Sequence, residues 1–359
     1  MVMRLGESPS LVIFGESHAT GVGVLIEGLP PGIPIDKKSI EQDLERRKPG
    51  RKGLSQRSES DVPSILSGIH EGCSTGWPLV LFSENSDVRS SDYKFLPDHP
   101  RPGHADLVES IRSGGNADPR GGGSHSGRLT WGLVAAGSIV RPILKKSGCS
   151  VVAHMAALGD DETDDISTLL NSEETEKMIR LNCMDSSAAD RFSKQIEILR
   201  KENDSIGSRV DVLVQGLPLG VGNPWFEGIE PALSKGLFGI PAVRAVEFGY
   251  GVNASSMRGS EHNSVWMPGK DSLPIQSEGG DGALGGISTG SNLRISVHFK
   301  PPSSIPLKQE TLHLPSGEMR PLSVGGRHDP VLAPRAAPVV EGVVRFLLAG
   351  QILTRTRPF

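Results

Sequence analysis

A chain of 359 residues is long enough to bury one large core or two smaller ones. Its formal net charge of −4 gives nucleic acid or an anionic membrane no whole-surface attraction, so neither is expected as a partner and any anion site must be local. Three cysteines without C-x-x-C spacing argue against a zinc knuckle and for a reduced, cytoplasmic setting, and no signal-peptide pattern or apolar run of membrane-spanning length is visible.

In chain order, Ser10–Phe14 reads as a strand running into Gly15-Glu-Ser-His-Ala19, and Val22–Glu27 as a second strand turned by Gly28-Leu-Pro-Pro-Gly32. Asp36 can cap a helix through Arg47, with Ile40 and Leu44 on one face, stopped by Pro49-Gly50. Arg46, Arg47, Lys48, Arg51, Lys52 and Arg57 then crowd twelve positions. A solvated helix end accounts for such a run, since cations suit a helix C-terminus. In an acidic chain it points instead to an anion site. Pro78–Ser83 reads as a strand and Thr130–Lys146 as a mostly apolar helix.

Between the last two lie Arg101-Pro-Gly-His-Ala-Asp106 and the glycine-rich Arg120-Gly-Gly-Gly-Ser-His-Ser-Gly-Arg128. Glycines let backbone N–H groups converge on an anion, and a following helix start adds its positive end. Histidine is the side chain suited to moving protons near neutral pH. Acid–base chemistry on an anionic ligand is the first hypothesis for this region; a surface loop whose glycines only make turns fits the motif alone about equally well. Gly21-x-Gly23 lacks the third glycine of a dinucleotide fingerprint.

Residues 151–206 read as a polar, acidic connector containing an exposed helix, Ala188–Lys201. After it the first half recurs: Leu25–Ile33 resembles Leu213–Val221, Gly72–Gly76 resembles Gly286–Gly290, and Gly103-His104 is echoed by Arg327-His328-Asp329 before the helix Val339–Leu353. The offsets are 188, 214 and 224 residues, growing as loop insertions would make them. One domain of two similar halves, about 8–150 and 207–355, is expected, related by a pseudo-twofold axis with a ligand cleft between them.

Arg46-Arg47-x-Pro-Gly50, Arg57-x-Glu59-x-Asp61, Asn85-x-Asp87-x-Arg89-Ser90, Arg101-Pro-Gly-His-Ala-Asp106, Val246-Glu-Phe-Gly249, Gly285-Gly-Ile-Ser288, Lys300-Pro301 and Gly326-Arg-His-Asp-Pro330 occur in order. In these and in nearly its whole length the chain resembles the chorismate synthase family. The resemblance implies an α+β fold, a β–α–β sandwich with a duplicated core, usually tetrameric. It also implies elimination of phosphate from 5-enolpyruvylshikimate 3-phosphate with reduced FMN, NADPH entering only indirectly.

By the same resemblance His18 protonates the departing phosphate, His104 manages the flavin's proton, and Asp329 removes the ring proton with the flavin. Flavin contacts fall on Ser124, His125, Ser126, Ala242, Gly285, Lys300, Ser303, Ser304 and Arg327; substrate contacts fall on Ser17, Arg46, Arg47, Arg57 and Arg128. No metal is implied. The chain departs from the family where Ala19 replaces a glycine and where Gly123-Ser-His-Ser-Gly-Arg-Leu-Thr130 lacks an arginine, a serine and a glutamate. Other classes stay open on the residues alone. These are a serine hydrolase with Ser17 in a nucleophile elbow and His328 as base, a metal site at His104, Asp106, His328 and Asp329, and a non-catalytic anion-binding module.

Overall fold

The structure, a computed structural model, describes residues 3–48, 60–87, 90–170, 181–269, 273–277, 280–326 and 328–355. Strands β1 (Arg4–Leu5), β2 (Ser10–Gly15), β3 (Gly21–Glu27), β4 (Ser64–Ser67) and β5 (Leu79–Glu84) make one sheet in the order β1-β2-β3-β5-β4. Strands β6 (Ser150–Leu158), β7 (Asp161–Glu162), β8 (Ser208–Gln215), β9 (Val243–Phe248) and β10 (Leu293–Phe299) make the other, in the order β9-β10-β8-β6-β7. All their pairings are antiparallel. Among the described residues, the α-helices of six or more residues are α1 (Lys37–Arg47), α2 (Asp106–Arg112), α3 (Thr130–Ile139), α4 (Arg141–Lys146), α5 (Ser186–Glu202), α6 (Ile229–Phe238) and α7 (Ala333–Arg355). Of these, α3 packs on β3, α7 packs on β6 and β8, and the two helices pack on each other with α1 and α6 alongside, so helices fill the layer between the sheets.

The duplication is visible in the topology. The order β2-β3-β5-β4 in one sheet is repeated by β6-β8-β10-β9 in the other, with α1 and α3 answered by α6 and α7. The inward triplet Val22, Val24, Ile26 recurs at Val210, Val212, Val214, all fully buried, at the offset of 188. Leu79 and Leu81 recur at Leu293 and Ile295 at the offset of 214. The last echo does not continue the series: the helices start at Thr130 and Ala333, only 203 apart, because the second copy has a shorter loop before its helix.

Three other expectations are corrected. The supposed connector 151–206 begins inside a sheet, since β6 pairs with β8 along its length, so the second copy starts at β6. Helix α5 within it is not merely exposed; it buries Ala188, Ala189, Phe192 and Ile196. The helix expected over Thr130–Lys146 breaks at Val140 into α3 and α4, because Pro142 has no N–H to continue the ladder. Helix α7 also has the length and mean hydropathy, 1.5 over its most apolar stretch, of a membrane span, but most of it is buried as the central helix of the second copy.

The two central helices cross where both lack side chains. A Cβ built on Gly137 of α3 would lie 2.3 Å from the Cα of Gly342 on α7. Beside this crossing a buried ionic cluster ties α1 to α7. Glu341 accepts from Arg46 Nη1 at 2.8 Å and from the Ala153 N–H at 3.0 Å, and pairs with Arg345, which also reaches Asp43. Burial opposes ionisation of Glu341, but Arg345 and Arg46 outweigh it and hold the carboxyl below its ordinary value.

Candidate active site

The loops that follow β2, β5 and β10 open on one cavity of ≈ 1480 Å³. Its centre is a set of charge-assisted bonds around Arg101. The guanidinium donates to Asp106 at 2.8 and 2.7 Å, to the Gly121 carbonyl at 2.7 Å and to Ser304 Oγ at 2.9 Å. His104 Nδ1 lies 2.6 Å from Asp106 Oδ1, so the ring carries its proton on Nδ1 and presents Nε2 as the other exchangeable position. Burial resists the Asp106 charge, yet bonds from Arg101 and His104 prevail and hold the carboxyl far below the usual range. The carboxylate thus sets the tautomer of His104.

The second half supplies the clamp on this loop. Lys300 Nζ donates to the Gly103 carbonyl at 2.6 Å, and Ser303 Oγ donates to the same oxygen at 2.8 Å. Burial, and then Arg244, lower the Lys300 ammonium from its ordinary value. Ala242, whose carbonyl accepts from the Lys300 N–H at 3.0 Å, has φ of 74°. An alanine in the left-handed region is costly, and such strain gathers at functional sites.

On the opposite wall the β2–β3 turn carries Ser17 and His18. Ser17 Oγ is 3.1 Å from His18 Nδ1, and the imidazole meets Tyr93 edge to face at 5.3 Å. The glycine-rich loop crosses directly over this pair, for a Cβ on Gly121 would fall 2.4 Å from the His18 ring. With φ of +67° as well, that position admits glycine alone. Asn85 pins the turn by donating to the carbonyls of Glu16 and Ala19 at 2.9 and 2.8 Å. Ala19 is not among the residues with positive φ, so its methyl replaces the family's glycine without strain.

Under the cavity two arginines share one buried carboxylate. Arg47 Nη2 is 2.6 Å from Asp61 Oδ2, Arg128 Nη1 takes Oδ1, and Trp131 Nε1 donates to the Asp61 carbonyl at 3.2 Å. Two cations against one anion leave the cluster positive. Burial lowers the Arg47 guanidinium to about 10, Asp61 opposing, so it stays charged at neutral pH. Arg47 Nε is buried without an acceptor. Asp329, in the loop four residues before α7, accepts from Arg335 Nη1 at 2.6 Å.

Of the residues expected to act, Ser17, His18, Arg47, His104, Ser124, His125, Ser126, Arg128, Ala242, Lys300, Ser303, Ser304 and Asp329 line this cavity. Arg46 does not: its guanidinium is spent on Glu341 and Asn182 in the helix layer. Gly285 sits in the turn between the short strands Ala283–Leu284 and Ile287–Ser288, outside the lining. Arg57 and Arg327 lie outside the described residues. In the altered loop His125 Nε2 is 2.9 Å from Glu109 Oε2, which ties the loop to α2, and Ser126 Oγ accepts from the Arg128 N–H. Arg101, Asp61 and Tyr93 belong to sequence motifs but had been given no role of their own, and Arg335 was not singled out. The available signal for Arg335 was a cation in the first turn of an apolar helix, against the helix dipole.

The other readings fare poorly against this geometry. Ser17 bonds to its neighbour His18, and the sheet behind it is antiparallel, unlike the parallel sheet beneath a nucleophile elbow. No group of three or more metal-binding side chains occurs among the described residues.

Comparison with known proteins gives a consistent result. The chorismate synthase family model matches residues 10–353. A chorismate synthase of Pyrococcus abyssi is 42% identical over 353 residues, spanning 98% of this chain and 97% of that one. One from Methanosarcina acetivorans is 40% identical over 349 residues, spanning 97% and 95%. A crystal structure of chorismate synthase superposes with a TM-score of 0.75 at 23% identity, covering 98% of this chain and 93% of that one.

Proposed function

The chain belongs to the chorismate synthase family, and from that premise we propose that it is a carbon–oxygen lyase forming chorismate by anti-1,4-elimination of phosphate from 5-enolpyruvylshikimate 3-phosphate, assisted by reduced FMN. The observation that carries this reading is the convergence of His18, His104 and Asp329 on one cavity whose floor is cationic. A volume of ≈ 1480 Å³ exceeds that of an ordinary single-ligand pocket and leaves room for a flavin and a substrate together.

The residues present fit a flavin phosphate and a multiply anionic substrate. Hydroxyls of Ser124, Ser126, Ser303 and Ser304 and the Lys300 ammonium would hold the cofactor, and the surplus charge of Arg47 and Arg128, with the unsatisfied Arg47 Nε, would hold substrate phosphate or carboxylate. The bound cofactor's chemistry would be to lend electron density as the C–O bond breaks and to recover it afterwards. His18 would give a proton to the departing phosphate, steadied by Ser17 and Tyr93. Asp329, held by Arg335, would accept the ring proton. His104, locked by Asp106, would hold a proton at Nε2 facing the cofactor.

We further place the chain in the cytoplasm as a homotetramer that is supplied with reduced flavin and does not reduce it with NADPH. Three free thiols suit the compartment, and exposed Trp77, Trp225 and Phe226 offer apolar surface for self-association. Pure protein given chemically reduced FMN anaerobically should release phosphate with no net flavin oxidation. Release at full rate with oxidised FMN, or one flavin oxidised per phosphate, would sink this reading.

A further inference from the structure

Arg335 occupies the first turn of α7, the positive end of the helix dipole, where a guanidinium is disfavoured. Helix stability therefore does not explain its presence. Its side-chain bonds go to the site. Nη1 donates to Asp329 Oδ2 at 2.6 Å, and Nε donates to the main-chain oxygen of Arg47 at 3.2 Å. That oxygen belongs to the last residue of α1, so the guanidinium plane is fixed by two elements from different halves of the molecule. Arg47 in turn grips Asp61, which Arg128 holds from the other side. Asp329 is only 9% exposed and the Arg335 side chain 25%, so this pair belongs to the cavity wall and is not one of the solvated pairs that contribute little.

We infer that Arg335 is a positioning residue: it aims the Asp329 carboxylate at the substrate and couples that aim to the arginines under the cavity. The role rests on the proposed elimination, in which Asp329 takes up the ring proton. Lysine would keep the charge, but its single ammonium lacks the planar fork that reaches both acceptors, so it can restore only part of the function.

The test compares wild type with Arg335→Lys and Arg335→Ala under anaerobic conditions with reduced FMN. It measures kcat, substrate Kd, and the primary deuterium isotope effect with substrate labelled at the carbon that loses its proton. A misaimed base loses on the order of 10²-fold in kcat in the alanine variant, with substrate Kd nearly unchanged. The isotope effect grows above the wild-type value as proton removal becomes the slow step, and lysine recovers part of the loss. Should the alanine variant fold poorly, the lysine variant carries the test through its isotope effect. A wild type that releases no phosphate overturns the proposed reaction and this role with it. A working wild type whose variants keep kcat, or lose it with no change in isotope effect, overturns the role alone.

Discussion

What an imidazole can do in this site is decided by its immediate neighbours. His104 is fixed through Nδ1 by a carboxylate that Arg101 also holds, whereas His18 touches a hydroxyl and an aromatic edge beneath a glycine loop. The first arrangement sets a tautomer; the second leaves the ring able to exchange a proton with a ligand. His18→Ala and His104→Ala should each lower kcat by about 10²–10⁴ while substrate Kd moves little, because acid–base groups act chiefly in the transition state. Near-normal turnover in either variant would remove that residue from the mechanism. Both histidines were legible in the sequence because their type and their loops point to proton transfer. The role of Asp61 was not, although it joins two arginines. Nothing local distinguishes a carboxylate that will be buried between cations from one that will be solvated.

Local grammar predicted the elements well where their punctuation was strong. Asp36 caps α1 as expected, accepting from the Lys38 N–H at 3.0 Å, and the strands expected at Ser10–Phe14 and Val22–Glu27 form as β2 and β3. It failed where periodicity is blind to a single missing donor, as at Pro142, and where an acidic surrounding masked the apolar strand β6. The contact between α3 and α7 depends on a glycine from each helix, which no pattern within one helix announces. Gly137→Ala places a methyl against the backbone of Gly342 and should cost about 1–3 kcal/mol through overpacking, read as a lower urea midpoint. An unchanged midpoint would mean the two helices part at no cost.

At the scale of the whole molecule, the burial of a histidine works against stability in acid. His154, on β6, is fully buried; its Nδ1 accepts from the Met184 N–H, and its Nε2 has no partner. Burial pushes the imidazole down to about 4 from an ordinary 6.5, with Arg209 adding to the shift and Asp211, Asp185 and Asp165 opposing it. The unfolded chain thus binds this proton first, so stability is complete above pH 6.5 and falls by up to about 3 kcal/mol as pH drops towards 4. Comparing urea midpoints of wild type and His154→Leu across that window should show a shallower slope in the variant. Parallel slopes would show that His154 contributes nothing to acid sensitivity. At this scale the repeated strand motifs already implied two halves, and the ordered run of short motifs already implied the family, because both are written in neighbouring residues. Which arginine meets ligand and which meets Glu341 was not written there. Arg46 and Arg47 are adjacent and chemically identical, and one helical step of about 100° turns one towards the cavity floor and the other into the helix layer. That step acquires its meaning from the second half of the chain, which brings Glu341 to one side and Arg335 to the other.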